Sequence, residues 1–311
     1  MSLPIEEIIT NLGNSSKPLL SSKLIALSNL SQEEIRFFER KWAAIELKWR
    51  RQIVYRLVEL AEDNFELNFD SILTSCLKDQ DAEVRSKAIE GLWENEDTSL
   101  INPLIELLNN DSSEKVQAVA AMALGKFAML AELKKLRPSH AGKVCQALLG
   151  MIEDKSKPIE VRRHVLEAAA PLSVPQVNKA ILEAYQSNDS KLKASAICAM
   201  GKNCNTSWLP MLLKELANPN VKIRYEAATA CGELGEKEAV PHLIELVNDA
   251  DAADDDEVQL AGIRALGKIG GNEAKEYLEQ CLDNPSEVIR QAAEEALHEL
   301  EMGEDPFSFR V

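Results

Sequence analysis

Aromatic side chains are scarce in this 311-residue sequence, at 5%, so Leu, Ile, Val and small residues must build its core. Six cysteines, Cys76, Cys145, Cys198, Cys204, Cys231 and Cys281, include no C-x-x-C pair. That spacing excludes a small disulfide framework and points to free thiols in a reducing compartment. No run of about 18 uncharged apolar residues occurs, so nothing reads as a membrane span. The opening MSLPIEEIITNL carries acids and no basic region ahead of an apolar one, unlike a signal peptide. A cytoplasmic location is the expectation. Basic charge is also short. A net charge of −16 argues against a protein that coats nucleic acid or an anionic membrane. Residues 1–180 hold 23 basic and 26 acidic residues, and residues 181–311 hold 12 and 25. A partner with a basic surface would be drawn to the C-terminal half. No Ser-His-Asp constellation, P-loop or G-x-G-x-x-G is present, so no catalytic residue and no cofactor are expected.

What is present is one phrase repeated. Ile223–Arg224 followed by Ala227, Ala230 and Gly232 recurs as Val84–Arg85, Ala88, Gly91, and as Val116–Gln117, Ala120, Ala123, Gly125. It recurs as Val161–Arg162, Val165, Ala168, and as Leu192–Lys193, Ala196, Ala199, Gly201. Val258–Gln259, Gly262, Ala265, Gly267 and Ile289–Arg290, Ala293, Ala296 close the series, and Trp49–Arg50, Ile53 is a degenerate first copy. Successive copies are 35, 32, 45, 31, 31, 35 and 31 residues apart. Such a period means a stack of helix pairs that bury their apolar faces against each other.

Each letter of the phrase has a physical reading. The leading Val, Ile or Leu enters the core, and the alanines let neighbouring second helices approach closely. The glycine is expected to supply the left-handed residue that ends the helix. Arg50, Arg85, Arg162, Lys193, Arg224 and Arg290 stand in the first turn, where the helix dipole disfavours a cation. They are therefore expected to pair with a turn carboxylate of the neighbouring unit, a ladder that Gln117 and Gln259 interrupt. Asp81, Ser113, Asp189, Asn220, Asp255 and Ser286 stand where a side chain can cap the second helix. Ser31 and Glu34 have capping-box spacing.

The predicted organisation is an N-terminal helical cap over 1–45, a repeat array over 46–302 with an insertion at 130–142, and a tail over 303–311. Two pieces, Pro4–Leu12 and roughly Leu19–Leu30, make the start of the cap. This grammar resembles that of HEAT repeats, in the short form also found in phycobilisome-lyase-type proteins, across roughly residues 46–300. The resemblance implies an all-α, right-handed α-solenoid (a superhelix) of about eight helix-pair repeats, with second helices lining a concave face. Positions on the outward side of those helices, Lys87, Arg163, His164, Tyr225, Glu226, Arg264 and Gln291, are the expected partner contacts. The expected function is a non-catalytic protein-binding scaffold, monomeric and off the membrane.

Two other activities go with similar repeats. Deoxyhypusine hydroxylases use several His-Glu pairs to hold two irons, whereas only His298–Glu299 forms such a pair here, so no metal is expected. Bilin lyases remain the alternative reading. The basic, Trp-containing segment Arg36–Arg56 would suit a nucleic-acid backbone, but its tryptophans also suit a core. The acidic run from Asp249 to Glu257 lacks an EF-hand's glycine and closing acid; a solvated turn and a weak cation site both stay open. Phe307 and Phe309 in the tail would either seal the end of the stack or dock a partner.

Overall fold

A computed structural model describes residues 5–13, 18–249 and 256–304. The chain divides into two compact units, Met1–Ala168 and Ala169–Val311. Among the described residues every regular element is helical, with 18 α-helices and three single 3-10 turns.

The first unit holds Ile5–Leu12 (α1), Ser21–Ile25 (α2), Gln32–Trp42 (α3), Leu47–Asp63 (α4), Asp70–Cys76 (α5) and Ala82–Gly91 (α6). Ile101–Asn110 (α7), Glu114–Glu132 (α8), Pro138–Glu153 (α9) and Ile159–Ala169 (α10) follow. The Ser31–Glu34 capping box opens α3, as its spacing predicts. In the segment around 19–30 α2 stops at Ile25: Leu24 is buried within α2, and the turns that follow bury Leu27. The insertion at 130–142 lengthens α8, reverses at Lys134 (φ 57°) and supplies the first turn of α9.

The second unit holds Pro175–Tyr185 (α11), Ser190–Asn203 (α12), Leu209–Glu215 (α13), Val221–Leu234 (α14), Val240–Asn248 (α15), Asp256–Ile269 (α16), Asn272–Cys281 (α17) and Glu287–Glu304 (α18). Each first helix packs on its own second helix, and the second helices α12, α14, α16 and α18 pack on one another in order. In the first unit α4, α6 and α8 do the same. This is the expected α-solenoid of helix pairs, seen within each unit.

In four copies the glycine of the phrase does not end its helix, whereas Gly91 is the last residue of α6. Gly125, Gly201, Gly232 and Gly267 lie inside α8, α12, α14 and α16. Each faces the second alanine of the following copy. A β-carbon built on them would meet the Cα of Ala168, Ala230, Ala265 and Ala296 at 3.1, 2.8, 2.9 and 3.0 Å. The glycine is there because the next helix crosses too close for any side chain. The left-handed residues come three positions later, at Cys204 (φ 52°), Gly235 (φ 73°) and Gly270 (φ 67°).

The expected ladder is present in part. Arg50 reaches Asp79 at 2.9 Å, Arg85 grips Asp111 with Nε and Nη2 at 2.7 Å each, and Lys193 meets Glu215 at 2.9 Å. All three carboxylates belong to the next copy, and their side chains are 0%, 4% and 2% exposed. The same side-chain position also serves its own turn. Arg85 donates to the carbonyls of Asp79 and Gln80, Arg224 to those of Asn218 and Pro219, and Arg290 to that of Asn284. Gln117 and Gln259 keep this second task, donating to the carbonyls of Asp111 and Val247. Glutamine therefore drops the charge and retains the turn contact. Asp79, Asp111, Asn218 and Asn284 also accept from the backbone N–H two residues on, which fixes each turn.

Helix capping follows the sequence at Asp81, Asp189 and Asn220, which accept from the first-turn amides of α6, α12 and α14. Ser113 is an exception: its side chain makes no capping bond. The Asp255 cap lies outside the described residues.

Candidate functional site

The expected partner contacts sit on second helices, where repeat geometry places equivalent residues side by side. In the first unit Lys87 on α6 is held between two neighbours. Its ammonium stands 5.2 Å from the centre of the Tyr55 ring on α4 and 3.3 Å from Glu90. Arg163 and His164 on α10 both turn to Glu160: Arg163 donates to its carboxylate at 3.3 Å, and His164 Nδ1 lies 2.7 Å from its carbonyl oxygen. A carbonyl only accepts, so Nδ1 carries the proton.

In the second unit Tyr225 and Glu226 on α14 are half-buried, with Glu226 3.9 Å from Lys222. Arg264 on α16 is exposed, and Gln291 on α18 is exposed and donates to Glu295 at 3.1 Å. The helices α14, α16 and α18 are consecutive neighbours. Phe307 and Phe309 lie outside the described residues, as do Asp251, Asp254 and Asp255 of the acidic run.

Two further residues belong to this surface by the repeat alignment. Tyr55 and Met122 occupy the place that Thr229 and Arg264 hold in later copies, and they are 46% and 54% exposed. Reading each copy column by column would have found them, because an apolar residue there has no core to enter.

One perturbed charge cluster is structural. Burial alone would raise the Glu215 carboxyl, but the Tyr185 hydroxyl (2.6 Å), Lys193 (2.9 Å) and Asn218 (2.6 Å) outweigh it and hold its pKa below the usual carboxylate range. Burial and the Glu215 carboxylate together push the Tyr185 hydroxyl up to about 12. The Lys193 ammonium lies 5.0 Å from the Tyr185 ring centre, which closes the cluster. Its groups satisfy one another and bind α11, α12 and α13 together.

The basic, Trp-containing segment is engaged internally in part, while Arg36, Arg40, Lys41 and Lys48 are exposed. Trp42 stacks on Phe38 with centroids 5.0 Å apart and donates Nε1 to Asp79 at 2.6 Å. Arg50, Arg51 and Arg56 pair with Asp79, Asp81 and Glu59, while Trp49 is half-buried. His298 and Glu299 are exposed on α18. Among the described residues no group of three His, Cys, Asp or Glu is placed to hold a metal. No described helix is long and apolar enough to cross a membrane.

Comparison with known proteins fits this geometry. The chain is 33% identical over 120 residues to phycocyanobilin lyase subunit alpha of Picosynechococcus sp. (strain ATCC 27264 / PCC 7002 / PR-6). That match takes in 35% of this chain and 44% of the relative, so it spans less than half of the relative's length. The complex of CpcE and CpcF of phycocyanin lyase from Nostoc sp. PCC7120 has a similar fold, with a TM-score of 0.54 at 15% identity over 92% of this chain and 96% of that one. Human deoxyhypusine hydroxylase in complex with glycerol aligns over 96% and 97% of the two chains at 17% identity, with a TM-score of only 0.37. Residues 71–143 and 209–298 match the family of HEAT repeats. Those two stretches make up more than half of the sequence, and the chain belongs to the HEAT-repeat family.

Proposed function

We propose that the protein is a non-catalytic scaffold that binds a protein partner on the outward sides of its second helices. The observation that carries this reading is a set of half-buried and exposed residues on consecutive second helices, Lys87 beside Tyr55 in one unit and Tyr225, Arg264 and Gln291 in the other. Solenoids use such repeated surfaces to bind extended partners. Aromatic and cationic side chains are the residue types that most often anchor an interface. The acidic C-terminal half favours a partner with a basic surface.

The test is a capture experiment with the intact chain beside a folded variant carrying Lys87→Glu, Arg163→Glu and Arg264→Glu. A partner held by the intact chain and lost by the variant supports the reading. A partner held equally by both removes the site from these helices.

A second reading is a factor of the bilin-lyase type, favoured by the 33% identity to a phycocyanobilin lyase subunit. Both readings require a protein partner, and handling of the pigment separates them. Under the lyase-type reading the purified chain, mixed with phycocyanobilin, acquires a shifted and intensified visible absorption band. An unchanged pigment spectrum leaves the scaffold alone.

A further inference from the structure

Phe65 and Trp93 are 96% and 64% exposed, the two most exposed aromatic side chains among the described residues. Both line the same cleft in the first unit, about 420 Å3 in volume. Phe65 follows the end of α4 and Trp93 follows the end of α6, so the turns after two neighbouring second helices bring them together. Scattered apolar residues on a surface need no explanation, but two large rings on one cleft do. Each forgoes roughly 2 kcal/mol of available burial.

The cleft has an apolar floor and an acidic rim. Val58, Leu73 and Gly91 form the floor. A β-carbon on Gly91 would stand 2.5 Å from Val58 Cγ2, so glycine is what keeps this floor closely packed. Glu62, Asp70 and Glu94 line the same cleft. The chain from Glu59 to Asp70 carries five acids and no base, and that from Glu90 to Asp97 carries four acids and no base. Glu62 and Glu94 form no ion pair within the described residues, whereas Asp70 is positioned by Asn95 at 2.7 Å.

One cation does reach this end of the unit. Lys126, on α8, donates its ammonium to the carbonyls of Leu92, Trp93 (2.7 Å) and Asn95. It is committed to the backbone that carries Trp93 and so fixes that residue's place.

We propose that this cleft binds a single arginine or lysine side chain from a basic segment of a partner protein. The π-faces of aromatic rings attract a cation, and Glu62 and Glu94, which form no ion pair among the described residues although Lys126 lies in the field of Glu94, supply the opposite charge. A purely apolar occupant would bury those carboxylates without a partner, and an anion would be repelled by them. The cleft is separate from the second-helix surface described above, and neither depends on the other.

The test uses the full chain, labelled with nitrogen-15, and the peptide acetyl-Gly-Gly-Arg-Gly-Gly-amide. Four indole N–H signals are available, and the Trp93 signal is the one lost in Trp93→Phe. With millimolar peptide the Trp93 signal shifts saturably, and a lysine peptide does the same. Affinity falls roughly three- to thirtyfold in Phe65→Ala, the range spanned by cation–π contacts, and falls again in Glu62→Gln/Glu94→Gln. These side chains are solvent-facing, and unchanged melting temperatures show that the variants fold.

A citrulline peptide, the neutral near-isostere of the arginine one, leaves the signal in place. Equal binding of arginine and citrulline peptides overturns the proposal, as does undiminished binding by Phe65→Ala. A Trp93 signal that stays fixed at millimolar peptide overturns it too. A shift that grows with protein concentration in the absence of peptide, and is lost in Phe65→Ala, assigns the cleft to a second copy of the chain instead.

Discussion

The Cα of Ala265 lies 2.9 Å from the point where a β-carbon on Gly232 would stand. Contact this close leaves no room for one extra methyl, although Gly232 sits inside α14, where alanine is the better helix former.

The two effects oppose each other, and their sizes decide the sign. Gly→Ala in a helix interior gains about 1 kcal/mol from propensity, while overpacking against a backbone atom costs about 1–3 kcal/mol. Gly232→Ala therefore destabilises the protein by a net amount of about 1 kcal/mol. Gly150 lies in α9 with nothing within 4 Å of the new methyl, so Gly150→Ala stabilises by about 0.5–1 kcal/mol. Urea unfolding of the two variants beside the parent checks both signs.

Removing a rung of the ladder costs more than a surface ion pair would. Arg85 and Asp111 form two bonds of 2.7 Å with side chains only 11% and 4% exposed. Arg85→Ala strands a buried carboxylate and is expected to cost about 3–5 kcal/mol. Arg85→Gln combined with Asp111→Asn retains the contact that Gln117 and Gln259 make to their own turns, and it loses less than the single alanine change. Denaturation midpoints of the two variants give the comparison.

The Glu215 cluster makes stability sensitive to acid. The folded carboxyl has a pKa below its unfolded value, which is about 4.3. Its contribution is complete above about pH 4.3 and is lost as pH falls through the folded pKa, because the unfolded state then binds the extra proton. Glu215→Gln costs about 1.5–3 kcal/mol at pH 7, the loss of hydrogen bonds to a charged group. It also flattens the fall in stability below pH 4.3. An unchanged acid limb in that variant would move the acid sensitivity elsewhere.

Thiol reactivity separates the cysteines by burial. Cys204 is exposed, whereas Cys76 and Cys231 are buried, and burial raises both thiols, Cys231 to about 12. The thiolate is the reactive form. Iodoacetamide at pH 8 labels Cys204 first, and Cys76 and Cys231 only after unfolding. Mass mapping of the labelled peptides reads the order, and Cys204→Ser removes the fastest phase.

The helix pairs were legible because one apolar pattern recurs eight times, so degenerate copies support one another. The ladder was legible for a different reason. A cation in a helix's first turn is in the wrong place electrostatically, and that demands a partner beyond its own helix. The glycine was misassigned because local chemistry sees Gly232 and Gly235 as equal candidates for the left-handed position. Only the approach of Ala265 distinguishes them. Phe65 and Trp93 stayed hidden because each occurs once, in a turn, where no period marks it. Contact between turns depends on how copies stack, and that information is absent from any single copy.

The glycine-to-alanine contact has a direction. The second helices α8, α12, α14 and α16 each offer a glycine to an alanine of the copy that follows, and α14 also offers Ala230 to the glycine of the copy before, Gly201. A rule that refers only to immediate neighbours is modular. A duplicate of residues 205–235, one full 31-residue step, spliced after Gly235 would find a glycine behind it and an alanine ahead, with no other residue rewritten. The same grammar that holds the second unit together thus permits it to lengthen by whole copies.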